Sequence, residues 1–403
     1  MKARRQEAWP TNRSRVSTRA VSDPYPHCIP GNRSNSRPCP RGRGTIALIS
    51  DLRDLILIDG PIASVALSSP SALDDAAARL DTRWHNARRQ LEQAEFPGAE
   101  LGRMDDTVAD LRHNDGASVV LLQAPGEPTF VEFLDAAIDH QLAVVDELAR
   151  LGPVLESRQQ SVPHVMVVAD RAGADLVGIG AMVEPVEVDV EGDTLHLHRG
   201  HPGGWSQRRF QQRAENQWES NAAESATAVA ELARKLDARV ITVAGDVRAV
   251  GFLLDHLPTD IVELAKKLDG QSVDLIAEET VRTVADIVAR DTRALLERFG
   301  EEHGQGRAAS GPSATLEALS AGRVDILLVH DDPTDDRRAR FQRSGMWCAL
   351  PDTDPPAPEP SEAIRDGRLI DVAIRAALLG DAEVRFVPEH SPPDSSIGAL
   401  LRW

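Results

Sequence analysis

The stretch His198-Arg199-Gly200-His201-Pro202-Gly203-Gly204-Trp205-Ser206-Gln207-Arg208-Arg209 decides how this chain is read. Three glycines and a proline make a flexible tip, and arginines, histidines and a glutamine decorate it. Behind the tip, Phe210, Ala214, Trp218, Ala222, Ser225, Val229, Ala233 and Leu236 recur every three or four residues, which predicts one long helix over Ser206–Leu236 with a face for a core. A cationic tip on a rigid element suits probing a deep anionic pocket. An ordinary hairpin-to-helix connection has the same local composition, and that reading stays open beside the first.

Working outward, β-branched runs precede the stretch. His164–Asp170, Asp175–Ala181, Val186–Val190 and Thr194–His198 read as strands of a meander, with turns at Gly173 and Glu191-Gly192-Asp193. A strand at Arg239–Ala244 and a helix at Val247–Leu257, closed by Pro258, follow the long helix. A second long helix is expected over Asp274–Glu302, carrying Val281, Val284, Ile287, Val288, Leu295 and Leu296. It either packs on this domain or bridges to the next. Gly300 to Gly311 then reads as a joint.

The remainder divides around this centre. Residues 1–44 hold ten Lys/Arg against Glu7 and Asp23, lack periodicity, and read as a disordered basic tail or an over-extended start. Residues 45–160 read as an N-terminal α/β domain. It has strands at Leu55–Ile58, Ala63–Leu67, Ser118–Leu122 and Thr129–Phe133, and helices at Ser71–Gln93 and Glu100–His113. Residues 161–305 form the central domain and 306–403 a small α/β/α sandwich. The sandwich has helices at Ser313–Ser320 and Arg368–Leu379, strands at Val324–Val329 and Glu383–Val387, and an apolar closing segment at Ile397–Trp403. The fold class expected is α/β, or mixed α+β, in three domains.

The whole chain carries −18, and the basic tail makes the body more acidic still. An acidic body argues against sequence-independent binding to bare nucleic acid, though basic tips still suit RNA. Cys28, Cys39 and Cys348 are an odd set, two of them in the tail, and imply neither a disulfide framework nor a zinc ribbon. No apolar run approaches a membrane span or a secretory leader, so no membrane partner and a cytoplasmic location are expected.

Few constellations carry chemistry. His196, His198 and His201 invite a metal, but no neighbouring Cys, Asp or Glu completes a shell, and the expectation is no metal and no cofactor. Gly304-Gln305-Gly306 has the look of a catalytic loop but sits at the joint and reads as linker. Asp331, Asp332, Asp335 and Asp336 suit a divalent ion, a solvated loop or a docking surface. Arg208, Arg209 and Arg213 stand at a helix start, against the macrodipole, where three guanidiniums suit phosphates. Pairing with Glu215 or Glu219 is the plainer use.

The order of these features resembles the archaeo-eukaryotic peptide release factor and Pelota superfamily. The resemblance covers about residues 160–403. Residues 164–240 match a central domain of RNase H-like topology, with a glycine-rich loop between a β-meander and a long helix. Gly311–Val329, Ala382–Val387 and Ile397–Trp403 resemble its L7Ae-like C-terminal domain. The first domain resembles only the bacterial branch. Within that branch the chain is similar to the actinobacterial Balon-type ribosome hibernation factors. That resemblance implies binding in the A site of the 70S ribosome, against rRNA and together with elongation factor Tu. His198, Arg199, His201, Gly203, Gly204, Trp205, Ser206, Gln207, Arg208, Arg209 and Arg213 would be the RNA-contacting residues. Release factors carry Gly-Gly-Gln. Here Gly203-Gly204 is followed by Trp205-Ser206, and Gln207 comes two residues late. The expectation is therefore occupancy with no catalytic residue. The alternative is a peptidyl-tRNA hydrolase or rescue factor with Gln207 positioning water on peptidyl-tRNA.

Overall fold

The computed structural model describes residues 15–20, 52–58, 60–68, 76–111, 117–134, 136–138, 141–180, 183–192, 204–269, 273–353, 359–393 and 396–403. The chain falls into two compact units. One holds the N-terminal residues to Asn35 with Ser161–Ile287; the other holds Ser36–Gln160 with Val288–Trp403.

The first described element, β1 (Arg15–Ala20), is a strand of the first unit. It lies inside the segment expected to be disordered, so for these six residues that expectation is corrected. The remainder of residues 1–44 lies outside the described residues. The physical reason is edge pairing: β1 runs antiparallel to an acidic strand, with Arg15 in register with Glu191 and Arg19 with Glu187.

The N-terminal segment begins with α1 (Leu52–Leu57), where a strand was expected. Leu52, Leu55 and Ile56 are buried at helical spacing, and a short Leu/Ile run does not by itself choose its period. Next come β2 (Ile62–Ser68), α2 (Ala76–Gln93), α3 (Gly98–Asp110), β3 (Ser118–Gln123), β4 (Phe130–Leu134), β5 (Leu142–Asp146) and α4 (Gly152–Gln160). The sheet order is β4-β3-β2-β5, antiparallel throughout. All six residues of β3 are buried because both faces are covered. Val119 and Leu121 meet Leu80, Trp84, Ala87 and Leu91 of α2 on one face. Val120 and Leu122 join the core shared with residues 309–399 on the other.

The central segment supplies β6 (His164–Ala169), β7 (Gly173–Gly180), β8 (Val183–Glu191), α5 (Gly204–Leu236), β9 (Val240–Gly245), α6 (Val247–His256), α7 (Thr259–Val262) and β10 (Ala265–Lys267). The expected strand at Thr194–His198 lies outside the described residues. The sheet order β1-β8-β7-β6-β9-β10 keeps β6, β7 and β8 antiparallel and β6, β9 and β10 parallel, the RNase H-like arrangement with one strand added at the edge. Ala222, Ala226, Val229, Ala233 and Leu236 of α5 bury one face against Val165, Val167, Leu176 and Val188. On the other face lies the first half of α8 (Val273–Gly304). There Ile276 packs beside Ala244, and the Thr242 and Thr280 hydroxyls share a 2.8 Å hydrogen bond.

The C-terminal segment contains β11 (Ala308–Ser310), α9 (Pro312–Ser320), β12 (Val324–Val329), β13 (Arg338–Phe341), β14 (Cys348–Ala349), β15 (Arg365–Arg368), α10 (Leu369–Leu379), β16 (Glu383–Phe386) and β17 (Ile397–Leu401). The main sheet is β11-β17-β12-β16, and β14-β13-β15 form a separate small sheet. Leu316, Leu319, Ile370 and Ile374 cover one face of the main sheet; Phe299 of α8 covers the other with Leu328 and Leu400. The expected α/β/α layering is present, with the second half of α8 as its outer layer. The Gln159 amide donates to the Phe386 carbonyl at 2.9 Å and its oxygen accepts from the Phe386 amide at 2.7 Å, closing the edge of β16.

Candidate nucleic-acid interface

The helix α5 is longer than the sheet beneath it. Leu232 and Leu236 abut Gly178, toward one end of β7, whereas Asn221 abuts Gly192, just past the end of β8. Among the described side chains of α5, those of the core begin at Ala222. Gly204 to Asn221 therefore runs past the strand ends, about 25 Å at 1.5 Å per residue. Neither glycine nor proline interrupts it after Gly204. The sequence thus builds a stiff arm, with the glycine-rich stretch at its outer end.

The expected contact residues fall into two groups. His198, Arg199, His201 and Gly203 lie outside the described residues, as does His196. Gly204, Trp205, Ser206, Gln207, Arg208, Arg209 and Arg213 lie on the backbone of the first turns of α5. The helix starts two residues before the expected Ser206, so Trp205, Ser206 and Gln207 belong to helix and not to loop.

The base of the arm is a cluster that the sequence reading did not single out as functional. The Arg171 guanidinium lies 4.6 Å over the Trp218 ring and donates to Asp246 at 3.0 Å and 3.2 Å. Asn221 donates to the Arg171 carbonyl at 3.0 Å, and the Gly192 amide donates to the Ala172 carbonyl at 2.7 Å. Asp246 also caps α6, accepting from the Arg248 and Ala249 amides at 3.0 Å and 3.2 Å. Burial works to raise the Asp246 carboxyl, but the Ala249 amide, the Arg171 guanidinium and the Arg248 amide outweigh it and hold it below the usual carboxylate range. The cap was legible as an Asp before a helical run. Trp218 was legible only as a core position, which it half is.

Electrostatics restrict where a polyanion can approach this unit. Across β7 and β8, on the face away from α5, Asp175 stands in register with Asp189, and Glu187 and Glu191 follow on the same face. Burial, then Asp189, Asp170 and Glu187, push the Asp175 carboxyl above its ordinary value. Phosphates are repelled there. The strand-end side carries exposed Arg171 and Arg248, and the arm carries Arg208, Arg209 and Arg213 in sequence.

The remaining candidates have structural uses. Asp331 pairs with buried Arg368 at 2.6 Å, Asp335 pairs with Arg337 at 2.6 Å, and Asp332 accepts from the Thr334 amide and hydroxyl at 2.8 Å and 2.7 Å. Gly304-Gln305-Gly306 ends α8, with Gly306 at φ 73°. Among the described residues no group of three His, Cys, Asp or Glu is placed to hold a metal ion. No helix among them is long and apolar enough to cross a membrane.

Residues 163–305 match the family described as bacterial archaeo-eukaryotic release factor family 2, a span that runs from the start of β6 to the end of α8. Over this segment the chain is similar to that bacterial family. The uncharacterized protein Rv2629 of Mycobacterium tuberculosis strain H37Rv is 25% identical over 366 residues, covering 87% of this chain and 96% of the relative. Its counterpart in strain CDC 1551, MT2704, gives the same figures of 25% over 366 residues. Similar solved structures include the archaeal translation termination factor aRF1, at 16% identity over 87% of this chain and 96% of that one, with a TM-score of 0.22. Archaeoglobus fulgidus Pelota is 15% identical over 71% of this chain and 79% of its own, with a TM-score of 0.31. Dom34 of S. cerevisiae, a translation termination-like factor, is 9% identical over 70% of this chain and 75% of its own, with a TM-score of 0.36.

Proposed function

We propose that this chain is a ribosome-associated factor of the release-factor class that occupies the A site of idle 70S ribosomes, in company with elongation factor Tu. In this reading, which follows the Balon-type hibernation factors, the N-terminal segment shields the decoding centre. The arm carries Gly203-Gly204 and Trp205 toward the peptidyl-transferase centre, against rRNA. The protein acts in the cytoplasm, in dormancy or stress, and needs no cofactor. The three-part division at 45–160, 161–305 and 306–403 is the functional division that goes with it.

The observation that carries the reading is the arm. A stiff helix about 25 Å beyond its own sheet, ending in a glycine pair, suits reaching into a narrow RNA-lined cavity. Occupancy is favoured over catalysis by the start of α5. Gly204 is already helical, so the backbone of Gln207 is fixed in the first turn, three residues past the glycine pair's end. A glutamine that positions water must sit to within about 1 Å.

Two measurements on one preparation test this. Wild-type protein should co-sediment with vacant 70S particles and should release labelled peptide from loaded ribosomes no faster than a protein-free control. Gln207→Ala should leave binding and translation inhibition nearly intact. Strong release by wild type that Gln207→Ala abolishes would make the protein a peptidyl-tRNA hydrolase instead. Absence of co-sedimentation would remove the ribosome from the reading altogether.

A further inference from the structure

We infer that Arg171 and Trp218 are positioning residues: with Asn221, Gly192 and Asp246 they form a collar at the base of the arm that sets the direction in which α5 leaves the sheet. The inference takes from the proposed function only that the arm is the reaching element; the collar's geometry does not depend on what the arm reaches.

The connections that leave β6, β8 and β9 at the strand-end side of the sheet meet in this collar. The β6–β7 turn supplies Arg171 and Ala172, the end of β8 supplies Gly192, α5 supplies Trp218 and Asn221, and the β9–α6 turn supplies Asp246. The β6–β7 turn is itself fixed, because Asp170 accepts from the Ala172 and Gly173 amides at 2.6 Å and 2.8 Å. From that turn, backbone and side chain act in different directions. The Arg171 and Ala172 carbonyls hold α5 and β8 side by side, through Asn221 and Gly192. The Arg171 guanidinium then reaches across to Trp218 and Asp246, tying the helix to the β9–α6 turn. A Cβ at Gly192 would lie 2.3 Å from the Asn221 side chain and 2.7 Å from the Ala172 carbonyl, so only glycine admits this approach of β8 to the helix.

The lever arithmetic explains why a collar is needed. On an arm of about 25 Å, a tilt of roughly 10° at the base moves the tip by about 4 Å. Among the described side chains the hydrophobic seat of α5 begins at Ala222, one residue beyond Asn221, and fixes the inner half of the helix. Trp218 lies one turn further out, where a lateral contact has most control over tilt. Arg171 suits this contact: its planar fork binds a carboxylate on its edge while its face stacks on indole. Lysine offers no such combination. The contact is half exposed, with 53% of the Arg171 side chain accessible, so its contribution to global stability is small. Aim and stability are therefore separable by mutation.

The test reads the aim directly, in the free full-length protein. Nitroxide labels are placed at Ser206→Cys on the arm and Asp255→Cys on α6, in a background carrying Cys28→Ser and Cys39→Ser. Cys348 is buried and its thiol is pushed up to about 11, so it stays unlabelled. Pulsed electron resonance should give a narrow distance distribution for the parent and for Trp218→Phe, which keeps a ring. In Arg171→Ala and Trp218→Ala the distribution should at least double in width, with the melting temperature nearly unchanged. An identical distribution in all four folded proteins overturns the inference. So does broadening that appears only together with an equal loss of melting temperature, in Trp218→Phe as well as Trp218→Ala, because that would mark a core role. Ribosomes enter neither outcome, so failure here leaves the proposed function standing, and failure of ribosome binding leaves the collar standing.

Discussion

Asp371, on the buried face of α10, is held under electrostatic tension. It is 4% exposed, with the Arg150 guanidinium 3.2 Å away and Arg368 3.7 Å away, yet neither carboxylate oxygen accepts a hydrogen bond in acceptable geometry. Burial dominates, outweighs the two guanidiniums, and pushes its carboxyl up to about 7. The consequence for stability has a definite sign. Between the unfolded value near 4 and the folded value, the native state binds the proton more tightly than the unfolded chain does. The group's contribution is therefore full below about pH 4 and is lost as pH rises toward 7. Asp371→Asn should melt close to wild type at pH 4 and gain on it steadily toward pH 7, by something on the order of 2–4 kcal/mol in urea titrations. A difference independent of pH would show that Asp371 is ionised throughout. Nothing in the run Leu369-Ile370-Asp371-Val372 signals this; a lone Asp in an apolar helix reads as a surface position until the facing arginines are known.

At the scale of elements, α5 was the most legible. Its apolar period predicted a helix, and the register of its buried face is the one observed from Trp218 onward. What the period could not tell was where the sheet stops. Phe210 and Ala214 continue the same stripe in sequence, on a part of the helix beyond the ends of the described strands. That difference gives a test of the arm. Gln212→Pro interrupts the helix outside the hydrophobic seat, where proline costs about 3 kcal/mol locally. The melting temperature of the sheet should hardly move, while co-sedimentation with vacant ribosomes should fall to near background. Retained binding would show that the outer turns of α5 do not carry the contact. Short elements were less legible. The run Leu55–Ile58 reads as a strand but residues 55–57 fold within α1, and β5, α4, α7 and the β13–β15 sheet carry no period of their own in the sequence.

The whole molecule shows one association that chain order hides. The N-terminal and C-terminal segments share a core in which Leu55, Val120, Leu122, Leu148 and Val154 meet Leu369, Ile370 and Ile374. Ion pairs rim it: Arg338 with Asp146 at 2.7 Å, and Arg343 and Arg365 with Glu147 at 3.1 Å and 2.7 Å. Deleting residues 305–403 should therefore leave the central unit melting cooperatively, while the N-terminal segment loses the cover of its second face and self-associates. Size-exclusion chromatography with hydrogen exchange distinguishes the outcomes. A monodisperse product with Val120 and Leu122 still protected would show that residues 45–160 fold on their own.

What the sequence determined by itself is local and periodic: the meander, the long helix, the second long helix over Val273–Gly304, and the strand-and-helix alternation near the C-terminus. Hydrophobic period and turn chemistry act within one element, and they survive without knowledge of neighbours. The glycine pair and its displaced glutamine were equally readable, as composition at a marked place. Only the tertiary structure decided that Arg15–Ala20 adds an edge strand, that residues 45–160 share a core with the far end of the chain, and that Arg171, 47 residues before Trp218, holds the base of the arm. Each of these depends on a partner distant in sequence, and a pairing between distant segments leaves no period in either one.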